Sequence, residues 1–119
     1  MTPLMHEKSR LTTRLTNAID GDVMADPASK ARYATDASIY QMVPEAVVVP
    51  KTVEDVEAAM GVAREESMPV LARGGGTSQC GQTVNNAVVL DNTRYLNRIL
   101  EIDPEARTCL LYTSDAADD

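Results

Sequence analysis

The chain has 119 residues, with 11 Lys and Arg against 18 Asp and Glu and a formal net charge of −7. This length allows one small domain, and the acidic balance together with 3% aromatic residues argues against binding of nucleic acid through a basic face or by base stacking. Two cysteines and one histidine without metal-ligand spacing exclude a zinc site and a disulfide framework, and no apolar run approaches the roughly 20 residues of a membrane span.

The first third of the chain predicts two helices. Over residues 4–19 apolar residues recur about every 3.6 positions, which is typical of an amphipathic helix, and the turn at residues 20–22 ends it. A shorter helix is predicted over residues 27–33, with Pro27 at its first position. Residues 35–38 then predict a polar turn.

The middle of the chain predicts a strand followed by a helix. The apolar run 46–49 is short, β-branched and continuous, which is typical of a strand buried on both faces, and Pro50 ends it. Thr52 is a good N-cap, with Asp55 in the position of a capping box, and the helix is expected to run to about Glu66. The residues expected to face the core here are Val53, Val56, Met60, Ala63 and Met68.

Three further strands are predicted beyond that helix. Residues 70–72 predict a second short buried strand and residues 87–90 a third. The crossover from residue 49 to residue 70 is long enough for a right-handed βαβ unit, so the first two strands should be parallel. Residues 99–102 predict another strand and residues 103–106 a turn, which indicates a hairpin whose return strand is missing.

The last eleven residues, 109–119, resemble a translated DNA adapter. The bases TGT CTC TTA TAC ACA TCT GAC GCT GCC GAC, which resemble the end of a transposase-based sequencing adapter, encode the ten residues that begin at Cys109. We therefore expect the natural sequence to end at Thr108, as the front of a longer gene, with a net charge of −4 once three tail aspartates are removed. The alternative is a genuine acidic tail.

A glycine-rich stretch carries most of the chemical information. Residues 73–82 read Arg-Gly-Gly-Gly-Thr-Ser-Gln-Cys-Gly-Gln and directly follow a predicted parallel strand, and ligands of such sheets bind outside the carboxyl ends of the strands. Consecutive glycines bring bare N–H groups up to a ligand and form an anion-binding nest. Thr77 and Ser78 add hydroxyl donors, while Arg73 adds positive charge or orients the loop. The pattern indicates a diphosphate ligand, and the alternative is a glycine-rich turn without one.

The two common phosphate-binding loops do not fit this stretch. No glycine is followed by Lys and then Ser or Thr, which a Walker loop requires. Gln79 stands where the dinucleotide fingerprint needs its third glycine. A different kind of phosphate site is therefore indicated.

Three motifs in order give the chain a resemblance to a known family. They occupy residues 32–40, 44–56 and 69–82, and Asp91, Asn97 and Ile99 continue the pattern. Together they resemble the FAD-linked oxidase family, whose FAD domain is shared with the vanillyl-alcohol oxidase and p-cresol methylhydroxylase (PCMH) group.

The resemblance implies an α+β fold and a division of the chain. The expected fold is the first subdomain of a PCMH-type FAD-binding domain, a small parallel βαβ sheet flanked by helices, plus the truncated start of an antiparallel second subdomain. Residues 1–34 would form an N-terminal helical segment and residues 35–108 a partial FAD-binding domain.

The resemblance also implies which residues bind FAD. Arg73 and the run from Gly74 through Gly75, Gly76 and Thr77 to Ser78 would lie at the diphosphate, Pro50 beside the adenine-side cleft, and Gly81 and Gln82 along the cofactor towards the flavin. Some relatives attach FAD covalently through a histidine just after the glycines. Thr77 stands there, and the sole histidine, His6, lies far outside the motif, so noncovalent FAD is expected.

Within the family the chain most resembles the FAD-dependent D-2-hydroxyacid dehydrogenases, which act on D-lactate, glycolate or D-2-hydroxyglutarate. The resemblance rests on the N-terminal helix and residues 35–40. It implies an oxidoreductase acting on CH–OH groups by hydride transfer to flavin N5. Because the family's substrate-binding residues lie in a later cap region, we assign no catalytic and no metal-binding residue and expect the fragment to be inactive.

The implied partners are a small 2-hydroxy acid and an electron acceptor, both reached through the missing region, with no nucleic acid and no transmembrane segment. An iron–sulfur cluster would belong only to that downstream region. The expected location is cytoplasmic, or peripheral on the inner membrane for the full-length parent. Two alternatives stay open: a stand-alone module that binds a phosphorylated ligand without redox chemistry, and an ether-lipid synthase or aryl-alcohol oxidase on the same fold.

Four single side chains have two interpretations each. Tyr33 and Tyr40 pack under the glycine-rich stretch or make core or subunit contacts. Asp36 caps a turn, which is the favoured interpretation, or contacts Arg73. Cys80 is a small filler rather than a reactive thiol.

Overall fold

The computed structural model describes the backbone of residues 3–112 and the side chains of residues 10–112. The elements in this part are α1 (Pro3–Ala18), β1 (Asp22–Met24), α2 (Pro27–Arg32), β2 (Ala46–Val49), α3 (Val53–Glu65), β3 (Val70–Arg73), β4 (Val88–Asp91), β5 (Ile99–Asp103) and β6 (Thr108–Leu111). None of these helices has the length and apolar character needed to cross a membrane. The His6 side chain and residues 113–119 of the predicted tail lie outside the described residues.

Four strands form the main sheet, in the order β1-β2-β4-β3. β4 pairs in parallel with β2 and with β3, so the predicted parallel relation of β2 and β3 is confirmed, although β4 lies between them. β1 pairs antiparallel with β2 and was not predicted from the sequence. Because β2, β4 and β3 run in one direction, they end at a common rim, which we call the carboxyl rim; Pro50, Asn92 and Gly74 follow the three strands there.

The core lies between the sheet and two helices. Every residue of β2 and β4 is buried, as predicted for β2. β3 was predicted to be buried, but its side chains are half-buried and Ala72 is exposed, because β3 is an edge strand. The residues that pack α1 and α3 on the sheet are Leu11, Leu15, Ile19, Ala46, Val48, Ala59, Val62, Ala63, Val88 and Leu90.

The predicted cap of α3 is confirmed, but its predicted packing face is partly wrong. The Thr52 hydroxyl oxygen accepts a hydrogen bond from the Asp55 N–H at 3.1 Å. Val53 and Met60 are 45% and 51% exposed, and the buried positions of the helix are Asp55, Ala59, Val62 and Ala63. The apolar pattern gave the wrong face because one of the buried positions is a charged residue, Asp55. Met68 packs against the core as expected.

β5 and β6 form an antiparallel hairpin with Asp103 opposite Thr108. The predicted strand and turn are confirmed. Thr108–Leu111 pairs with β5 as its return strand, and the absence of the natural return strand stays a prediction. Three of those four residues belong to the predicted adapter tail. Any residues that tolerate an extended chain can pair in this way, so the pairing does not depend on whether residues 109–119 are natural. The adapter origin of residues 109–119 stays a prediction.

Candidate functional site

The glycine loop, residues 73–82, leaves β3 at the carboxyl rim. Its first residue, Arg73, lies opposite Asp91 at the end of β4. The Asn92 N–H donates to the Arg73 carbonyl at 3.2 Å, which fixes the root of the loop beside the central strand. The loop therefore stands where open α/β sheets bind ligands.

The backbone of this loop offers a run of unpaired donors. Within the described residues, the N–H groups of residues 74–79 donate no hydrogen bond to the protein. Among the described residues, the glycines of the loop make one backbone hydrogen bond: the Gly76 carbonyl accepts from the Ala37 N–H at 3.0 Å. Gly76 has a φ of +71°, a conformation that L side chains seldom adopt. Successive N–H groups without a protein partner are suited to an anion such as a phosphate.

The Arg73 guanidinium is committed to backbone carbonyls. Nη1 donates to the carbonyls of Tyr33 at 3.2 Å and Thr83 at 3.0 Å, and Nη2 donates to that of Thr35 at 2.8 Å. The same group lies over the Tyr33 ring, 5.3 Å from its centroid. Of the two roles considered for Arg73, these contacts favour orientation of the loop over direct contact with an anion.

Ser78 closes a turn at the far end of the loop. Its hydroxyl donates to Gln82 Oε1 at 2.8 Å and accepts from the N–H groups of Cys80 and Gln82, both at 3.3 Å. A Cβ at Gly81 would stand 2.6 Å from the Tyr40 ring. Tyr40 therefore packs directly against this turn, the first of its two interpretations. The Ser78 hydroxyl is already engaged, which leaves Thr77, an exposed residue, as the freer hydroxyl donor.

The lead-in segment, residues 33–43, is joined to the glycine loop through Asp36. One carboxylate oxygen of Asp36 accepts from the Ser38 N–H at 2.8 Å, so the predicted turn cap is confirmed. The other accepts from the Thr83 hydroxyl at 2.8 Å. Hydrogen bonds from Ser38 and Thr83 lower the pKa of Asp36 to about 2. Thr83 was not singled out from the sequence, because its partner lies 47 positions away.

Tyr33 connects the lead-in segment to the central strand. Its hydroxyl donates to Oδ2 of buried Asp91 at 2.5 Å, and Oδ1 of Asp91 accepts from the Thr93 hydroxyl at 2.6 Å. Burial, and then this hydrogen bond, raise the pKa of Tyr33 to about 12. Both Asp91 oxygens are occupied and Tyr33 stays protonated at neutral pH, so this group supports the rim rather than exchanging protons.

The remaining predicted site residue, Pro50, lies further along the rim. Pro50 is fully buried at the end of β2, two strands away from the glycine loop, which corresponds to about 10 Å in a sheet. Cys80 is an exposed free thiol in the loop. In the part of the chain with described side chains, no group of three His, Cys, Asp or Glu residues is placed to hold a metal ion.

Replacing Asp36 by Asn should make stability less dependent on pH. Because the folded pKa of Asp36 is depressed from 3.8 to about 2, its stabilising contribution is present above pH 4 and is lost as the pH falls towards 2. We expect wild type to be more stable than D36N at pH 7 and the difference to shrink steadily between pH 4 and pH 2. Urea denaturation at several pH values measures this; a difference that is constant with pH would contradict it.

Comparison with known proteins adds three findings. A family model described as FAD binding domain matches residues 44–111. D-2-hydroxyglutarate dehydrogenase of Escherichia coli (strain K12) is 41% identical over 88 residues, which are 71% of this chain and 9% of that protein. The chain thus spans about a tenth of the length of the D-2-hydroxyglutarate dehydrogenases it matches.

Solved structures give the same fold at low identity. An alkyldihydroxyacetonephosphate synthase superposes with a TM-score of 0.68 at 18% identity, covering 87% of this chain and 24% of that one. A p-cresol methylhydroxylase superposes with a TM-score of 0.61 at 21% identity, covering 84% and 21%. The parallel sheet with flanking helices and an antiparallel hairpin therefore confirms the α+β, PCMH-type fold expected from the sequence.

Proposed function

The chain belongs to the FAD binding domain family, and from this premise we propose that it is the FAD-binding part of a flavin-dependent oxidoreductase that oxidises a D-2-hydroxy acid. The observation that carries the proposal is the run of unpaired N–H groups over residues 74–79 at the carboxyl rim. In a family whose cofactor is FAD, these donors fit its diphosphate. When bound, FAD would supply the hydride-accepting chemistry of the oxidation.

The proposed cofactor contacts follow the geometry of the rim. Gly74, Gly75 and Gly76 offer backbone N–H groups to the diphosphate, and Thr77 offers backbone and hydroxyl donors. Ser78 contributes through its N–H, since its hydroxyl is bound to Gln82. Further along the proposed cofactor path lie Gly81, Gln82 and Pro50. Thr77 replaces the histidine of covalent relatives, which supports noncovalent binding.

The substrate class is proposed from the relatives. The Escherichia coli relative is named for D-2-hydroxyglutarate, and other matched relatives are named for glycolate and D-lactate. A small 2-hydroxy acid and an electron acceptor are therefore proposed partners of the whole protein. The cytoplasmic location, and the division of the chain at residues 34 and 108, stay proposals that rest on the sequence.

Gly75→Val should abolish retention of FAD. Gly75 is exposed, and it is not among the glycines with positive φ, so its backbone tolerates a side chain. The added side chain would stand between the loop N–H groups and the diphosphate. The measurement is the flavin-to-protein ratio of the purified complete protein, from its visible absorbance. Gly61→Val is the matched control, because nothing lies within 4 Å of a Cβ at this position of α3.

If the purified Gly75→Val protein were yellow and had full FAD occupancy, the loop would not be part of the cofactor site. Resequencing the locus across the Thr108 codon separates the proposal from its alternative. A reading frame that continues for several hundred codons supports the flavoenzyme. A stop codon after residue 119 favours the stand-alone module, which would use the same unpaired N–H groups for a phosphorylated ligand.

A further inference from the structure

We propose that Arg73 is a positioning residue, which holds the glycine loop in the shape that receives the cofactor without contacting the cofactor itself. This inference rests on the proposed FAD site. It differs from the simplest expectation for an arginine beside a phosphate loop, which is a direct ion pair with the phosphate.

Arg73 joins three segments of the chain. Its guanidinium donates to the carbonyls of Tyr33 and Thr35 in the lead-in segment and to that of Thr83 just beyond the loop. The side chain itself belongs to the last residue of β3. One planar group therefore ties the strand, the lead-in segment and the exit of the loop together.

The same guanidinium also limits the space around the loop. A Cβ at Gly76 would collide with Nη2 of Arg73, so the positive-φ turn at Gly76 passes close against the guanidinium. On the other side of that turn, the Gly76 carbonyl accepts from the Ala37 N–H at 3.0 Å. The turn is thus held between Arg73 and the lead-in segment, while its own N–H groups stay unpaired.

Lysine cannot reproduce this arrangement. A guanidinium presents donors in a rigid planar fork, whereas an ammonium is a compact point charge that also binds phosphates but has no fork. If Arg73 acted on the phosphate through its charge, lysine would preserve much of the affinity. If Arg73 acts through carbonyls on different segments, lysine should fail as badly as a neutral residue.

The test compares Arg73→Lys and Arg73→Gln in the complete protein, with FAD as the probe. A loop that keeps the binding shape only a tenth of the time binds about tenfold more weakly, and we expect at least that loss in both variants. Arg64→Met is the control, because Arg64 is an exposed residue of α3 without an ion pair in the described part of the chain. A lysine variant within about twofold of wild type, with glutamine far weaker, would overturn the proposal in favour of a charge contact.

A second readout needs no ligand. Hydrogen–deuterium exchange of the hydrogen-bonded amides in peptides covering residues 33–38 and 80–83 should accelerate in both Arg73 variants, while peptides from α3 stay unchanged. If wild type fails to bind FAD but this exchange accelerates, the positioning role stands and the proposed function falls. If wild type binds FAD and both variants bind it equally well, the positioning role falls and the proposed function stands.

Discussion

Replacing Asp55 by alanine is expected to destabilise the chain by about 3 kcal/mol. Asp55 is 4% exposed, and its two oxygens accept hydrogen bonds from the N–H groups of Asp20 at 2.9 Å and Lys51 at 3.0 Å. Alanine would leave these donors without their partner near the core. Such a loss is a large part of the roughly 5–15 kcal/mol that stabilises a domain. Thermal denaturation of the 119-residue chain, followed by circular dichroism, measures it.

Asp55→Asn is the matched control for this prediction. The amide keeps one oxygen acceptor but turns an NH₂ group towards the second donor, so its loss should be smaller than that of alanine. Burial raises the pKa of Asp55, but the backbone hydrogen bonds outweigh burial and lower the pKa below 3.8. The stabilising contribution is therefore present above pH 4 and lost as the pH falls below it. Equal melting temperatures for Ala, Asn and wild type at pH 7 would contradict the prediction.

The hydrogen bonds of Asp55 also fix the backbone next to Pro50, one of the proposed cofactor contacts. Asp20 belongs to the junction of α1 and β1, and Lys51 directly follows Pro50 at the carboxyl rim. One carboxylate thus fixes both the α1–β1 junction and the β2–α3 junction. The sequence suggested a capping box at Thr52, but in the structure Asp55 also serves donors from two remote turns, which no local pattern can reveal.

Local sequence patterns were sufficient to predict the elements whose conformation is set by their own residues. The continuous β-branched run of β2, the Pro27 start of α2 and the Thr52 cap of α3 were each predicted at or near their observed places. β1 was missed because its three residues, Asp22–Met24, carry no alternation, and their extended state depends on pairing with β2. The edge position of β3 was missed because it depends on β4 lying between β2 and β3.

At the candidate site, too, local residues were predictable from the sequence and long-range contacts were not. Three consecutive glycines after a strand identified the loop, since glycine is the residue that allows close approach of a ligand to the backbone. The partners of Arg73 were not predictable, because they are carbonyl groups and carry no side-chain signature. Likewise, the bond from Tyr33 to Asp91 joins residues 58 positions apart. Sequence thus located the donors, while only the fold identified what holds them in place.

Gly76→Ala is expected to weaken FAD binding by about 30-fold. A positive φ costs an L residue about 1–2 kcal/mol, and about 1.4 kcal/mol corresponds to tenfold in affinity. The added methyl would also meet the Arg73 guanidinium, which cannot withdraw without breaking its bonds to the carbonyls of Tyr33, Thr35 and Thr83. FAD titration of the complete protein measures the loss, with Gly61→Ala as the control glycine in open space.

Combining Gly76→Ala with Arg73→Gln tests whether the two residues act as one unit. The shorter glutamine removes the group that the methyl would strike, so the double variant should lose less affinity than the two single losses combined. Strict additivity would mean that the turn and the guanidinium act independently. A less-than-additive loss would instead show that the two residues act through their contact. The turn at Gly76 would then keep its shape because Arg73 fills the space beside it, and glycine would be required at position 76 because the guanidinium leaves no room for a Cβ.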